Sequence, residues 1–427
     1  MRILNKPKLR KQLFIFFILL LIQLSLSWSL SPTWTALGPF GGDFLGTITN
    51  PSNASQVTTI TYNPSVVYQS SNGGDSWTNV YDFSGIYLYD ACAYDFSKLY
   101  AIDYYGCYRS TNGGSTWEYS SFPSGNWYVS TICIDPNDAN KVYAVGYKWT
   151  LSGSTYTYGL AFFKSPDGGQ TWSETSHFTF DSFWVYDITV SKTNPNILYV
   201  VGYKYVGGSY YGCLLKTENY GTDWTDISSS VDSSANYWFY TVAVDPTNNN
   251  RVYVGGDYFY YSTNGGSVWS KSGSPMYIYA LGIDSANTAK IYGGGYNNIF
   301  VSMNYGQNWT SYYGVISGDS NCIEVAKAQP STLYAATSNG LYKSTNSGVN
   351  WDEAHNGISN TVIPAIAIAP SQPNVMYVES SGVAVYGTNN SGNTWDYKEY
   401  FVVCGNTCDL IINPSDANII LALEGTG

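Results

Sequence analysis

Short apolar runs alternate with tight polar turns along almost the whole chain, and the runs have the length and composition of strands. Ser130-Thr131-Ile132-Cys133-Ile134 leads into the turn Asp135-Pro136-Asn137-Asp138. A second run, Lys141 to Gly146 (KVYAVG), and a third, Leu160 to Lys164 (LAFFK), follow, and Thr171-Trp172 opens a fourth. The same order returns in Thr241 to Val244, Asp245-Pro246 and Arg251 to Gly255, and again in Ala365 to Ile368, Pro370 and Val375 to Val378. These runs are β-branched or aromatic and too short for helices. Four short strands per unit of about 40 to 50 residues match one blade of a β-propeller.

The third and fourth runs of each unit are joined by a turn that hardly varies. Ser70 to Trp77 (SSNGGDSW) recurs at Ser110 to Trp117, Ser165 to Trp172, Thr217 to Trp224, Ser262 to Trp269, Ser302 to Trp309, Ser344 to Trp351 and Thr388 to Trp395. The frame is Ser/Thr-x-Asn/Asp-x-Gly-x-x-Trp. Its acceptor and aromatic positions are Asn72 and Trp77, Asn112 and Trp117, Asp167 and Trp172, Asn219 and Trp224, Asn264 and Trp269, Asn304 and Trp309, Asn346 and Trp351, and Asn390 and Trp395. The Asn or Asp oxygen suits the backbone N–H groups of the turn that follows it. The Gly accommodates a left-handed φ. The Trp opens the next strand and buries a large ring, its indole N–H free to find a carbonyl. One such turn is a structural staple. A turn repeated around a ring is not the signature of a single active site.

This frame resembles the Asp box, or BNR repeat, of sialidases, which also occurs in xyloglucan-active glycoside hydrolases, sortilin-type receptors and the photosystem II assembly factor. The resemblance implies an all-β fold over residues 30–427: a β-propeller of four-stranded blades with eight complete Asp-box repeats and an incomplete ninth. It implies no particular chemistry, because these families share the turn and not the reaction. Trp34-Thr35 looks like an orphan fourth strand able to complete the last blade. Asp409 to Pro414 and Ile419 to Leu423 supply only two strands of the ninth unit. The expectation is a fragment of a longer protein that has one ten-bladed ring or two smaller rings in tandem.

Composition narrows the setting. Charged residues are 11% of the chain, against about 25% in an average soluble domain. A net charge of −11 with only 19 Lys and Arg excludes nucleic acid as a partner, since phosphate binding needs clustered basic residues. Arg2, Lys6, Lys8, Arg10 and Lys11 precede an apolar run from Leu13 to Leu26, with Ser27 and Ser29 after it. That is the layout of a secretory signal peptide over residues 1–29, and the run is short for a spanning anchor. A secreted or cell-surface protein without stable membrane insertion is expected. Seven Cys remain, of which Cys404 and Cys408 are close enough in sequence to pair; the others read as buried apolar residues, and connectivity cannot be deduced.

Candidate chemistry can be tested by counting. A sialidase resembles a cleft in which three Arg grip the sugar carboxylate, and after the signal segment only Arg109 and Arg251 remain. The xyloglucan-active enzymes are a nearer comparison. Gly38-Pro39-Phe40-Gly41-Gly42-Asp43 and Thr47-Ile48-Thr49-Asn50-Pro51 are similar to the start of their first blade, and their catalytic Asp falls near Asn63 here. A neutral amide cannot act as general acid or base. The partner carboxylate in that family belongs to a second propeller, which this chain is not expected to contain. Aligned on the Pro/Asp turn, Asp187 and Asp409 share an inner-strand position with Gly46, Ala91, Thr131, Thr241, Ala280, Val325 and Ala365, while Asp90 and Glu324 hold the neighbouring one. Asp187 and Glu324 are the candidates for an acid/base pair, and a solvated acidic lining is the other reading. His177 and His355 are isolated, so neither a metal nor another cofactor is expected.

One pattern lies outside the repeat. The segments leading into successive inner strands carry Tyr87 and Tyr89, Trp127 and Tyr128, Phe183, Trp184 and Tyr186, Tyr237 to Tyr240, and Tyr277 and Tyr279. In a propeller these lie on the face away from the Asp-box turns. Flat rings stack on sugars, which makes Trp127, Trp184, Tyr186, Trp238, Tyr240 and Tyr279 the candidate ligand residues; packing between blades is the alternative use of such rings. The leading expectation is a secreted, non-catalytic propeller that binds neutral polysaccharide. The alternatives are a xyloglucanase-like glycoside hydrolase lacking its second propeller and a sortilin-like propeller that binds an extracellular protein.

Overall fold

The computed structural model describes residues 42–234, 236–354, 365–370, 372–380, 384–392, 395–400, 408–413 and 416–424. The signal segment, Trp34-Thr35, His355 and Cys404 lie outside the described residues, and so does any pairing of Cys404 with Cys408. Eight four-stranded antiparallel sheets follow one another, each with its strands in chain order from first to last. The first seven begin at Phe44, Asp90, Trp127, Ser182, Phe239, Ala280 and Ser320. Their first strands pack side by side in sequence, and the first strand of the seventh sheet (Ser320–Val325) returns to that of the first (Phe44–Asn50). Among the described residues, therefore, seven sheets close a ring and act as its blades.

Closure is made by ordinary blade-to-blade contacts. Phe44, Val57 and Tyr68 of blade 1 share a buried cluster with Tyr334, Ala336 and Leu341 of blade 7. The Trp77 indole donates to the Ala354 carbonyl at 2.6 Å, and the Tyr334 hydroxyl donates to the Gly73 carbonyl at 2.9 Å. The eighth sheet (Ala365 to Tyr400) packs on a two-stranded sheet formed by Cys408–Asn413 and Asp416–Glu424, through Ala367, Tyr377, Ile412 and Ala417. A single ring of ten is not what these residues form, because the circle is complete at seven.

The Asp-box turn has the anatomy its sequence requires. In blade 1 the Ser70 hydroxyl donates to Asn72 Oδ1 at 2.8 Å and accepts the Gly74 N–H at 2.8 Å. Asn72 Oδ1 accepts the Ser76 N–H at 3.0 Å, and the Trp77 indole donates to the Gly74 carbonyl at 3.1 Å. The hydroxyl-to-amide pair recurs in every box through to Thr388, Asn390 and Gly392. Trp172 departs from the pattern and donates to Ser120 Oγ of the previous blade at 3.1 Å. Two successive residues are left-handed, not the one that the frame anticipates. Where the first of them is not Gly, it is Tyr220, Tyr305, Ser347 or Ser391, at φ of 56° to 61°.

The second strands are buried on both sides, because each blade is covered by its two neighbours. Tyr100, Tyr143, Tyr199, Tyr253, Tyr292 and Tyr334 occupy the same place in six consecutive blades and are all buried. Each reaches toward the Asp box of the next blade. Tyr199 donates to the Gly265 carbonyl at 3.0 Å, as Tyr334 does to Gly73. The hydroxyls of Tyr143 and Tyr253 find no partner among the described residues. These two precede the boxes where Tyr220 and Tyr305 replace the first Gly. Each of those box tyrosines instead takes a cation from the preceding blade: Lys141 lies 4.9 Å from the Tyr220 ring, and the Arg251 guanidinium 3.9 Å from that of Tyr305.

This difference between seams is measurable. Tyr199→Phe deletes a satisfied buried bond and should cost about 1 kcal/mol. Tyr143→Phe removes a hydroxyl that has no partner and should be neutral or stabilising. Urea denaturation of the two variants tests this, and equal losses would contradict the assignment.

Candidate functional site

The seven inner strands converge on an axial cavity of about 850 Å³. Their leading ends lie on the face away from the Asp boxes, because the second and third strands run antiparallel between the two faces. Most inner strands carry a one-residue bulge there, with register shifts after Phe44, Val185, Phe239 and Ser320. The bulged residue is turned toward the cavity, as bulges commonly re-aim a side chain. Leu45, Ser130, Tyr186, Tyr240 and Asn321 line the mouth in this way, and Tyr89 and Tyr279 stand at the corresponding places in blades 2 and 6. Asp43, Tyr62 and Asp319 complete the rim.

Just below the rim sit the carboxylates. Asp90 Oδ2 accepts the Thr131 hydroxyl at 2.7 Å and the Ile132 N–H at 2.9 Å, both from the next blade. Asp187 Oδ2 accepts the Thr241 hydroxyl and the Val242 N–H, each at 2.9 Å, again from the next blade. Glu324 Oε1 accepts the Thr49 hydroxyl at 2.8 Å and the Thr49 N–H at 3.2 Å, across the seam that closes the ring. Among the described residues no hydrogen bond joins Asp187 to Glu324; each clasps its neighbouring blade.

Counting from the bulge also corrects the repeat alignment. Asp90 and Asp187 share one position, together with Gly46, Thr131, Thr241, Ala280 and Cys322, whereas Glu324 lies two residues further on. Pro anchors misled the alignment. Blade 2 has no Pro in that turn, and in blade 7 Pro330 sits deeper in the turn than Pro136 does in blade 3. The side chain of Asp409 lies outside the described residues.

The electrostatics follow from burial. Among the described residues no Lys or Arg lines the cavity. Desolvation pushes Asp90 up to about 6 and Asp187 to about 7, partly offset by the hydrogen bonds just described; the charge of Asp90 adds to the rise at Asp187. Glu324 is raised by the same desolvation, against the bonds from Thr49. Asp43 is raised to about 6 by burial and, further, by the charge of Asp319; a 3.0 Å bond from the Asn321 amide opposes this. Asn63 lies in the turn after the second strand of blade 1. His177 lies on the last strand of blade 3, beside Thr175.

The aromatic candidates divide into two groups. Tyr186, Tyr240 and Tyr279 face the cavity and touch in series, with centroids 5.6 and 5.0 Å apart. Trp127, Trp184 and Trp238 stand further out and are half-buried. Trp127 packs edge-on against Phe163. Trp184 leans on Tyr147 of blade 3 at 4.8 Å, and Trp238 stacks on Tyr203 of blade 4 at 5.4 Å. Sequence reading missed the residues they support. The second and third strands of blade 3 (Val142–Ser152, Thr155–Ser165) and of blade 4 (Leu198–Val206, Ser209–Thr217) form hairpins far longer than those of blades 2, 5, 6 and 7. They rise from the loop face carrying Trp149, Tyr156, Tyr205 and Tyr210. The available signal was the wider spacing of the Asp boxes on either side of them. Asp43, Asp319 and Asn321 at the rim were likewise not singled out.

Arg109 and Arg251 are both committed to structure. Arg109 pairs with Glu118, and Arg251 donates to Asp245 at 3.2 Å while stacking on Tyr305. Among the described residues no group of His, Cys, Asp or Glu is arranged to hold a metal ion.

Comparison with known proteins points in one direction. No protein-family model matches the chain. A probable oligoxyloglucan-reducing end-specific xyloglucanase of Neosartorya fischeri is 27% identical over 159 residues, which cover 35% of this chain and 18% of the fungal one. Among solved structures, an ancestral GH74 enzyme superposes with a TM-score of 0.64 at 16% identity, over 86% of this chain and 55% of its own. The GH74 xyloglucanase from Xanthomonas campestris gives 0.59 at 11% identity, over 90% and 71%. The chain has the fold of the xyloglucanase propellers. YCF48 bound to D1 peptide gives 0.51 at 12% identity, over 72% of this chain and 94% of its own, so the fold is shared beyond those enzymes. The chain spans about half of the ancestral enzyme and under a fifth of the fungal one.

The clasps make stability depend on pH in a definite sense. Between 3.8 and about 7 the unfolded chain gives up the Asp187 proton before the folded ring does. Ionisation in that window therefore works against folding, and this contribution falls as the pH rises through it. Asp187→Asn keeps an acceptor for Thr241 and Val242 but cannot ionise. Urea midpoints measured from pH 4 to 8 should decline less steeply for the variant than for the parent; parallel profiles would refute the clasp electrostatics.

Proposed function

We propose that this chain is a secreted propeller that binds neutral polysaccharide on its loop face without hydrolysing it. The observation that carries this reading is the one-sided distribution of exposed rings. Among the exposed tyrosines, Tyr87, Tyr105, Tyr156, Tyr210, Tyr277, Tyr296 and Tyr313 lie on the loop face, and Tyr119 lies on the outer strand of blade 2. The Asp-box turns expose Val268, Met303 and Val349 but no aromatic ring. Exposed rings gathered on one face are what an interaction site presents. The cavity at its centre adds Tyr186, Tyr240 and Tyr279, with Asp43, Asp319 and Asn321 available for hydroxyl groups.

Two points count against catalysis. The resemblance puts the neutral Asn63 near the position of the hydrolases' acid, and Asp187 and Glu324 are engaged by Thr241 and Thr49. Secretion rests on the basic and apolar N-terminal segment. An extracellular location suits a glycan ligand.

Affinity electrophoresis through gels containing β-glucans tests the proposal. The parent should be retarded by at least one neutral glycan, and Tyr240→Ala should weaken retention about tenfold, equivalent to roughly 1.4 kcal/mol. Release of reducing sugar that Asp43→Asn abolishes would replace this reading with a hydrolase. A stable protein partner without retardation by any glycan would replace it with a protein-binding propeller.

A further inference from the structure

The two long hairpins have a feature that the ring does not need. Alternation along each strand gives a hairpin two unlike faces. In blade 3, cross-strand pairing sets Trp149 beside Tyr158 and Leu151 beside Tyr156 on one face, while Lys148 and Thr150 pair with Gly159 and Thr157 on the other. In blade 4, Tyr205 pairs with Tyr210 on one face, and Lys204 pairs with Tyr211 on the other. The two lysines occupy equivalent positions, and both are neutralised: Lys148 lies 3.5 Å from Glu174, and Lys204 is paired with Asp226. The aromatic faces carry no charged residue at all in this register.

These faces are also prebuilt. Trp184 supports Tyr147 and Trp238 supports Tyr203, so the base of each hairpin is wedged by the following blade. The tips are nevertheless open, with Tyr156 51% and Tyr210 41% exposed beside Leu151 and Val206. A hairpin that rises from the body with open rings on an uncharged face, and with its charges turned away, is costly to leave in water unless something covers it.

We infer that the paired hairpins of blades 3 and 4 are a second recognition surface, a platform for an internal stretch of an extended, uncharged polysaccharide, set apart from the cavity mouth. This rests on the glycan reading above and adds to it where the chain is held. Charge complementarity selects the occupant, because neither an anionic nor a cationic polymer would meet a counter-charge on these faces. Flat rings on a fixed support stack on sugar faces with little side-chain ordering to oppose binding. A platform away from the axis engages sugars remote from a chain end, so it adds affinity for long chains and none for short ones.

The experiment compares polymer with oligomer. The parent, Trp149→Ala/Tyr156→Ala and Tyr240→Ala are run in gels containing soluble xyloglucan or mixed-linkage β-glucan, and titrated calorimetrically with short cello- and xyloglucan oligosaccharides. Thermal melts of all three check folding, and Tyr210→Ala serves as an independent tip variant. The tip variants should lose roughly tenfold in polymer retention with oligosaccharide binding unchanged, whereas Tyr240→Ala should weaken both. Tip variants retained like the parent would overturn the platform and leave the glycan reading standing. No retention of the parent by any glycan would overturn both. Self-association of the parent that the tip variants abolish, without glycan retention, would overturn the platform by reassigning this face to a protein contact.

Discussion

In the seams between blades 3 and 4 and between blades 5 and 6, an aromatic ring of one blade lies beneath the left-handed glycine of the next blade's Asp-box turn, and a side chain at that glycine would have no room. A Cβ at Gly221 would fall inside contact distance of the Phe162 ring, and one at Gly306 inside that of Phe259. Both glycines also hold a φ of 79°, which suits Gly on backbone grounds alone. Among the described residues no sheet runs from one blade into another, the isolated Tyr296–Asp319 bridge aside, so these side-chain seams hold the ring together. The turn hydrogen bonds set the height of each glycine, and the buried tyrosine or phenylalanine below it sets the spacing to the neighbouring blade. Everything on the Asp-box face is therefore constrained, and variation is left to the opposite face.

The axis presents a different problem. An inner strand is an edge strand, and its N–H groups directed at the next blade have no ladder partner. In three of the seven seams a carboxylate fills that role, receiving one amide and one threonine hydroxyl from the neighbour. Burying a carboxylate costs free energy, and the raised values at Asp90 and Asp187 are the mark of it. An unsatisfied buried amide costs as well, so a carboxylate that answers both an amide and a hydroxyl limits the loss. The same placement explains why these acids are poor candidates for chemistry. One oxygen of each is already engaged across the seam, and the groups that engage it are the ring's own.

Much of this was legible in the sequence, and the rest was hidden for physical reasons. The turn frame is local and periodic, so Ser70, Asn72, Gly74 and Trp77 announce their hydrogen bonds directly. Ring size is not local. Nothing in the eighth repeat distinguishes it from the seventh, since closure depends on how wedge-shaped blades accumulate around an axis. Inner-strand register is hidden in blades 2 and 7: the turn from Tyr94 to Lys98 is shorter than that from Asp135 to Lys141, and Ala326-Lys327 opens the blade 3 type of turn without a proline. Trp184 and Trp238 were correctly placed on the loop face, but sequence cannot say which face of a ring is covered. The tyrosines that cover them belong to hairpins whose length shows only as extra spacing between boxes.

Those hairpins bear on how a rigid ring can carry the proposed glycan surface. The seams are close-packed, whereas the tips of the long hairpins of blades 3 and 4, residues 151–156 and 206–208, are exposed. Lengthening a hairpin keeps the pairing register, so each added pair of residues extends both faces together. Tyr147, Trp149 and Leu151 on one strand then meet Leu160, Tyr158 and Tyr156 on the other without disturbing Val142 or Ser165 at the base. The ring supplies the anchorage, since Trp184 lies on, and Trp238 immediately before, inner strands that the clasps and seams already fix. A surface built in this way inherits its rigidity from contacts on the far side of the molecule, so recognition on the loop face and the constraint at the Asp boxes are parts of one mechanical arrangement.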